Sequence, residues 1–126
     1  MKGNLKMMKF FNIYFKSKKL PRLLVMNNQN AFLHFVYNSK TIGCLINYSY
    51  KNGEFGIHIP ITDIEKKLFE KNLDNNNIIE EIIKSMFVDQ YDFDIDIKYK
   101  GFWELNNVIA ETLYKDRIIL CGDSGH

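Results

Sequence analysis

Alternation between apolar and polar positions is the strongest signal along this chain. The run Asn12 to Leu20 reads as a short strand that passes into a basic turn, with Pro21 as its break. After the polar joint Asn27-Asn28-Gln29-Asn30, the aromatic and β-branched stretch Ala31 to Tyr37 predicts a strand, Asn38-Ser39-Lys40 a tight turn, and Thr41 to Tyr50 a second strand. Lys51-Asn52-Gly53 supplies the residues a hairpin uses where φ turns positive. In Glu54 to Ile61, Phe55, Ile57 and Ile59 face one way and Glu54, Gly56 and His58 the other, and Pro60 is expected to end the pairing or mark an edge. Adjacent strands joined by short turns make an antiparallel meander.

A helical period follows. Thr62 or Asp63 caps a short helix through Leu68-Phe69. Asp74 or one of Asn75 to Asn77 caps a second, in which Ile78, Ile79, Ile82, Ile83, Met86 and Phe87 recur at three and four residues and form a stripe for the sheet. From Tyr91 to Lys100 the odd positions are Tyr, Phe, Ile, Ile, Tyr and the even ones Asp, Asp, Asp, Lys, Lys, the pattern of a strand with one wet face. Gly101-Phe102-Trp103 extends or bends that strand. Glu104 to Tyr114 is ambiguous between strand and helix, and Arg117 to Cys121 is a short apolar strand running into Gly122-Asp123. The expected fold class is α+β: an antiparallel sheet with one or two helices packed on one face.

Composition changes this picture little. With 126 residues, 46% of them hydrophobic, the chain has one domain's worth of material and enough apolar surface for a core. Charge is more informative. The net charge of +2 hides an asymmetry, since no acidic residue precedes Glu54. A basic nucleic-acid arm or a targeting peptide would produce this bias. Here the basic residues alternate with Phe, Ile and Tyr as in Lys9-Phe10-Phe11-Asn12-Ile13-Tyr14-Phe15-Lys16, which suits a half-buried strand, so no nucleic-acid partner is expected. No apolar run approaches the ~20 residues of a membrane helix, so no membrane span is expected either. Cys44 and Cys121 sit in apolar runs, as buried free thiols do, and favour a reducing compartment and a soluble intracellular protein. His34, His58 and His126 lie far apart on different elements, which leaves no metal-ligand spacing. The stack Asp92, Asp94, Asp96 suggests a metal or acid-base site, but carboxylates two apart on a strand do not converge as in a Ca²⁺ loop, and a solvated strand face is the expectation.

Chemistry enters at the last strand. Tyr114-Lys115-Asp116-Arg117-Ile118-Ile119-Leu120-Cys121-Gly122-Asp123-Ser124-Gly125-His126 resembles the Y-x-x-R-V-x-L-x-G-D-A-A-H signature of FAD-dependent aromatic hydroxylases, the flavin monooxygenases of the phenol, p-hydroxybenzoate and dichlorophenol hydroxylase kind. Upstream, Trp103 and Val108-Ile109-Ala110-Glu111-Thr112-Leu113-Tyr114 resemble that family's W…VAE-x-Y lead-in. Ala31 to Asn38 with Ile42-Gly43-Cys44-Leu45, and Asn12 to Ser17, resemble substrate-domain strands of the dichlorophenol hydroxylase branch. The resemblance implies that Asp123 accepts hydrogen bonds from the ribityl hydroxyls of FAD and that Gly122 lets the cofactor approach the backbone. It implies a substrate-domain-like sheet over residues 1–114 and the start of an FAD-binding segment over 115–126. The implied reaction is oxygen insertion into a small aromatic substrate, with NADH or NADPH as reductant.

Ser124 and Gly125 stand where the family has two alanines, and these 126 residues hold no G-x-G-x-x-G unit for the FAD pyrophosphate. The chain is therefore expected to be a fragment that alone neither binds FAD tightly nor hydroxylates anything, its last strand leading into an absent FAD domain. Two other readings stand beside it. Gly122-Asp123-Ser124-Gly125 resembles the G-D-S-G-G of trypsin-like proteases, though neither His34 nor His58 has that family's setting. A non-enzymatic α+β module binding an aromatic ligand or a partner chain is the alternative function. The aromatic face Phe35, Tyr37, Phe55, Ile57 is expected to be core or to line a substrate site.

Overall fold

From Phe11 to Ser17 buried and half-buried side chains alternate without a break, because a strand sends successive residues to opposite faces and only one face is sealed by helices. The computed structural model describes residues 2–87 and 91–125, side chains excepted at residues 4–6. In chain order the elements are β1 (Lys2–Lys16), α1 (Leu20–Met26), β2 (Leu33–Tyr37), β3 (Ile42–Ser49), β4 (Glu54–Ile61), α2 (Asp63–Asn72), α3 (Asn76–Ser85), β5 (Asp96–Ile109), β6 (Tyr114–Lys115) and β7 (Ile118–Ile119), followed by a 3₁₀ turn at Gly122–Ser124. Five strands form an antiparallel sheet in the order β2-β3-β4-β1-β5, and β6-β7 is a separate hairpin. The fold is α+β with the meander as expected. No helix among the described residues is long and apolar enough to cross a membrane.

One continuous core fills the space between sheet and helices. Phe11, Ile13 and Phe15 of β1, Leu45 of β3, and Phe55 and Ile57 of β4 meet Leu20 and Leu24 of α1 and Ile79 and Ile83 of α3. Phe69 of α2 stacks on Phe11 at 4.7 Å between ring centroids. Thr62 caps α2 in a capping box with Glu65, and Asn75 caps α3 through the Asn77 and Ile78 N–H groups. The N-terminal lysines face acids on neighbouring elements, Lys9 with Asp63 and Lys16 with Glu54 at 3.3 Å, so the early positive charge is a sheet surface and not an arm.

Five details depart from the sequence expectations. Strand β1 runs from Lys2 rather than Asn12, and Pro21 breaks nothing: it lies in the first turn of α1, where its missing N–H costs no hydrogen bond. This third helix carries only two core residues, Leu20 and Leu24, too few to set a period. Pro60 does not put β4 at an edge, since β4 lies between β3 and β1. The β3 ladder stops at the pair Cys44–His58, so Pro60 needs only its β1 neighbour, Phe10. The Tyr91–Lys100 alternation holds from Tyr91 to Ile97 and then inverts. Tyr14 pairs with Tyr99 but Phe15 with Ile97, so Lys98 is an extra residue that turns Tyr99 outward. Lys100 then lies on the helix side, where its Nζ donates to Asn76 Oδ1 at 3.0 Å and to the Leu73 carbonyl at the end of α2.

The three aspartates do not form one wet strand face, because pairing begins only at Asp96. Asp94 instead closes the turn after β1, accepting hydrogen bonds from the Lys18 and Lys19 N–H groups at 2.9 Å and from the Ser17 hydroxyl at 3.1 Å. Ser17 in turn accepts the Leu20 N–H and so starts α1. Burial pushes the Asp94 carboxyl up, but these bonds outweigh it and hold its pKa below the usual aspartate range. A carboxyl depressed in the fold stabilises fully above its unfolded pKa and loses that contribution as pH falls through the folded one. Asp94→Asn should cost about 1 kcal/mol at neutral pH. It should also flatten the loss of stability below about pH 4, read from urea midpoints across pH. A parallel decline in both proteins would remove Asp94 from that role.

Asn47 is a polar residue inside the core, 4% exposed, and its side-chain oxygen and nitrogen have no hydrogen-bond partner among the described residues. A buried amide without partners carries its full desolvation cost. Asn47→Leu is expected to raise unfolding free energy by about 1–2 kcal/mol. A lower urea midpoint in this variant would show that the amide is hydrogen-bonded in solution.

Candidate functional site

The helices cover one face of the sheet, and the other face carries the ring chemistry. Register decides which residues reach it. Asn12 pairs with both His58 and Gly101, Phe10 with Pro60 and Trp103, and Tyr14 with Gly56 and Tyr99, so all of these share the open face. From β3 come Cys44, which pairs with His58, and Ile46, which pairs with Gly56. Phe35 and Tyr37 of β2 extend the surface and are 84% and 85% exposed. Phe55 and Ile57 are sealed in the core on the opposite side. The expected single aromatic face Phe35, Tyr37, Phe55, Ile57 is thus divided between two faces, because Phe35 is in register with Cys44 and hence with His58.

Ring contacts organise the open face. Phe10 and Trp103 stack at 4.6 Å with a 12° interplanar angle, and the Trp103 indole N–H donates to Asn12 Oδ1 at 2.8 Å. His58 stands edge-on to Trp103 at 6.3 Å, and Tyr14 lies 6.2 Å from Tyr48. Two glycines make room for tyrosines. A Cβ on Gly56 would fall 2.6 Å from the Tyr48 ring, and one on Gly101 would fall 2.2 Å from the Tyr99 hydroxyl. Burial lowers the His58 pKa, keeping the imidazole neutral near pH 7. Burial likewise raises the Cys44 thiol, so it stays protonated and unreactive. His58 and Asn12 are site residues that strand alternation alone does not pick out. The available signal was that β1 carries aromatic residues at both parities, Phe10 and Tyr14 as well as Phe11 and Phe15.

The Gly122-Asp123 segment lies away from that face, beyond the end of β5. Strands β6 and β7 turn at Asp116, and the segment folds back through Ala110 N–H to Gly125 C=O at 2.8 Å. Gly125 is buried against Leu113, whereas Gly122 has φ +58° with open space around it and Asp123 is exposed. Cys121 is exposed too, which corrects the expectation of a buried thiol: no described element covers β7, and Ile118 and Ile119 beside it are exposed as well. Ser124 donates to the Cys121 carbonyl at 2.7 Å and accepts its N–H at 3.1 Å. Its hydroxyl therefore serves as a turn cap, and among the described residues no imidazole stands beside it in the manner of a protease nucleophile. His126 lies outside the described residues. Among the described residues no cluster of three or more His, Cys, Asp or Glu could hold a metal.

No family model matches the chain, and no curated protein matches it. Solved structures do. Aklavinone-11 hydroxylase, determined as a ternary complex with FAD and aklavinone, superposes with a TM-score of 0.75 at 14% identity, over 98% of this chain and 22% of that one. RebC-10x, determined in native and K252c-bound forms, superposes with a TM-score of 0.68 at 21% identity, over 94% of this chain and 21% of that one. The chain spans about a fifth of the length of these structures, and over that span it has their fold.

Proposed function

We propose that this chain is the substrate-side sheet of an FAD-dependent aromatic-ring hydroxylase, the phenol and dichlorophenol hydroxylase branch being the one its motifs resemble. Residues 1–114 form the sheet with its helices, and residues 115–126 begin the FAD-binding segment. The observation that carries the reading is the open face. A five-stranded sheet sealed by helices on one side presents Phe10, Trp103, Tyr14, Tyr48 and Tyr99 on the other, around a small polar patch. Apolar ring surfaces with a few placed polar groups are how small aromatic ligands are held. The shared fold with a hydroxylase solved with FAD and aklavinone supports the assignment.

FAD, when bound and reduced by NADH or NADPH, would supply the oxygen activation for hydroxylating the ring. The open face orients that ring and excludes water from one side of it. Gly122 and Asp123 fit one contact with the cofactor: the glycine leaves the approach to the backbone clear, and the exposed carboxylate can accept ribityl hydroxyls. One such contact does not hold a dinucleotide.

Trp103, the single tryptophan, reports on the face directly. Titration with 2-naphthol should quench its emission saturably, with a dissociation constant of about 1 mM or tighter for a ligand of this size. Added FAD should keep the fluorescence of free flavin. Linear, unsaturable quenching by the naphthol would sink the substrate-sheet reading, and stoichiometric flavin in the purified chain would overturn the reading of an incomplete cofactor site.

A further inference from the structure

Among the described strands the order β2-β3-β4-β1-β5 leaves two outer ones, and they are finished differently. β5 carries Asp96, Lys98, Lys100 and Glu104 and is broken by the bulge at Lys98, features that keep an edge from pairing with another chain. β2, Leu33-His34-Phe35-Val36-Tyr37, has no proline and no Asp, Glu, Lys or Arg, and it runs in unbroken register with β3. Asn38 N–H donates to the Thr41 carbonyl and Asn47 N–H to the Phe32 carbonyl. Alternation along the ladder then makes Phe32–Asn47, His34–Leu45, Val36–Gly43 and Asn38–Thr41 the bonded pairs. The N–H and C=O groups of Leu33, Phe35 and Tyr37 therefore face away from β3, and they have no partner among the described residues.

The side chains of those three residues share the open face and are exposed, Phe35 and Tyr37 almost fully. The two rings alone leave on the order of 300 Å² of apolar surface in water. On the helix side a hollow of about 300 Å³, lined by Leu24, His34, Val36 and Phe87 among others, runs along the same strand, so the helices leave room at this edge. An identical strand completes it. A two-fold axis at Phe35 sets Phe35 against the partner's Phe35 and Leu33 against the partner's Tyr37, twice over. In that register every outward N–H of one copy meets an outward C=O of the other, with none of these groups left over. Ring then lies beside ring and Leu33 beside a ring, pairings that stabilise a sheet, while His34 falls opposite the partner's Val36 beside the hollow. No formal charge lies within the paired segment, and the next one along the chain, Lys40, is past the last pair. Two copies of a chain with net charge +2 can therefore meet here without like charges facing each other.

We infer that β2 pairs antiparallel with β2 of a second copy of this chain about that two-fold axis, joining two five-stranded sheets edge to edge. The apolar area is small against the ~800 Å² per partner of a standard interface, so the dimer is weak, with Kd on the order of 100 µM. Closed two-fold symmetry stops the assembly at two copies. The pairing uses the edge and not the ring-lined centre of the open face, so it stands independently of the substrate-sheet reading.

Sedimentation velocity on the 126-residue chain should show monomer at about 10 µM and mostly dimer at about 1 mM. Over the same range amide exchange should slow about fivefold at Leu33, Phe35 and Tyr37, and far less at His34 and Val36, whose amides already bond to β3. Phe35→Pro removes an N–H that no bond of the monomer uses, so it should keep the wild-type circular dichroism and stay monomeric at about 1 mM. Phe35→Lys leaves the backbone intact but sets like charges opposite each other, and should weaken the dimer about fivefold. A wild-type chain that is monomeric at about 1 mM overturns the inference and leaves the edge to a strand of different sequence. A dimer whose outward amides exchange as fast as the monomer's, or one that Phe35→Pro leaves intact, lies on another surface and overturns it equally. Growth past two copies overturns the closed two-fold pairing. The wild-type exchange pattern needs no variant and decides the matter even where Phe35→Pro fails to fold.

Discussion

Phe11→Ala should remove about 3–5 kcal/mol of stability, a large share of the about 5–15 kcal/mol that holds a domain folded. Phe11 is fully buried, stacks on Phe69 of α2, and meets Phe102 of β5 at 5.2 Å between centroids. It joins the interior strand β1 to a helix and to the neighbouring strand at one point. Removing the ring costs the transfer energy of its buried atoms and leaves a cavity whose walls, on three different elements, cannot all move inward. Phe11→Leu keeps most of the volume and should cost less than half as much. Urea unfolding followed by far-ultraviolet circular dichroism compares the two. Equal midpoints for Phe11→Ala and wild type would show that the core is not organised around this residue.

Gly53→Ala should cost at least about 2 kcal/mol, though it adds a single methyl group. Gly53 ends the β3–β4 hairpin with φ +66°, a left-handed conformation that costs an alanine about 1–2 kcal/mol by itself. The environment adds a second penalty. A Cβ there would lie 1.9 Å from the Ser17 carbonyl oxygen, and Gly53 C=O accepts the Ser17 N–H at 2.9 Å. The hairpin and the end of β1 would have to separate and give up that bond. Ser17 also starts α1 and contacts Asp94, so the damage should spread: amide exchange should speed up at Lys18 to Leu20 as well as in the hairpin. Gly122→Ala is the control, since Gly122 has φ +58° but open space around it, and only the conformational term applies. If both substitutions cost the same, the steric term at Gly53 is absent.

Much of the architecture was legible because it follows from local rules. The hairpin glycine, the Thr62 and Asn75 caps, the stripe of α3 and the strands of the meander all lie within a few residues of their causes. What escaped is non-local. Asp94 carries no sign that its partners are Ser17, Lys18 and Lys19, some seventy-six positions away. Nothing near Lys98 announces the bulge that reverses the outlook of Tyr99, Lys100 and Trp103. Without that reversal Trp103 would point into the core and Asn12 would have no indole partner.

The candidate site divides along the same line. Gly122-Asp123 was readable as a motif, because a short segment carries all of its residue types; the structure gives its glycine a positive φ and open space. The ring-lined face was only half readable. Period-two alternation separates the two sides of each strand but leaves open which side of one strand matches which side of the next, so Phe35 and Phe55 were grouped although they lie on opposite faces.

By itself, then, the sequence determined the α+β class, the meander, the capped helices and the family its last strand resembles, since each is written in spacing or in short-range chemistry. Only the tertiary structure decided that β1 lies between β4 and β5, which rings are core and which are open, and that His58, Asn12 and Trp103 stand together. Those outcomes depend on strand register, which is set jointly by turns, by a one-residue bulge and by the helices that claim one face first.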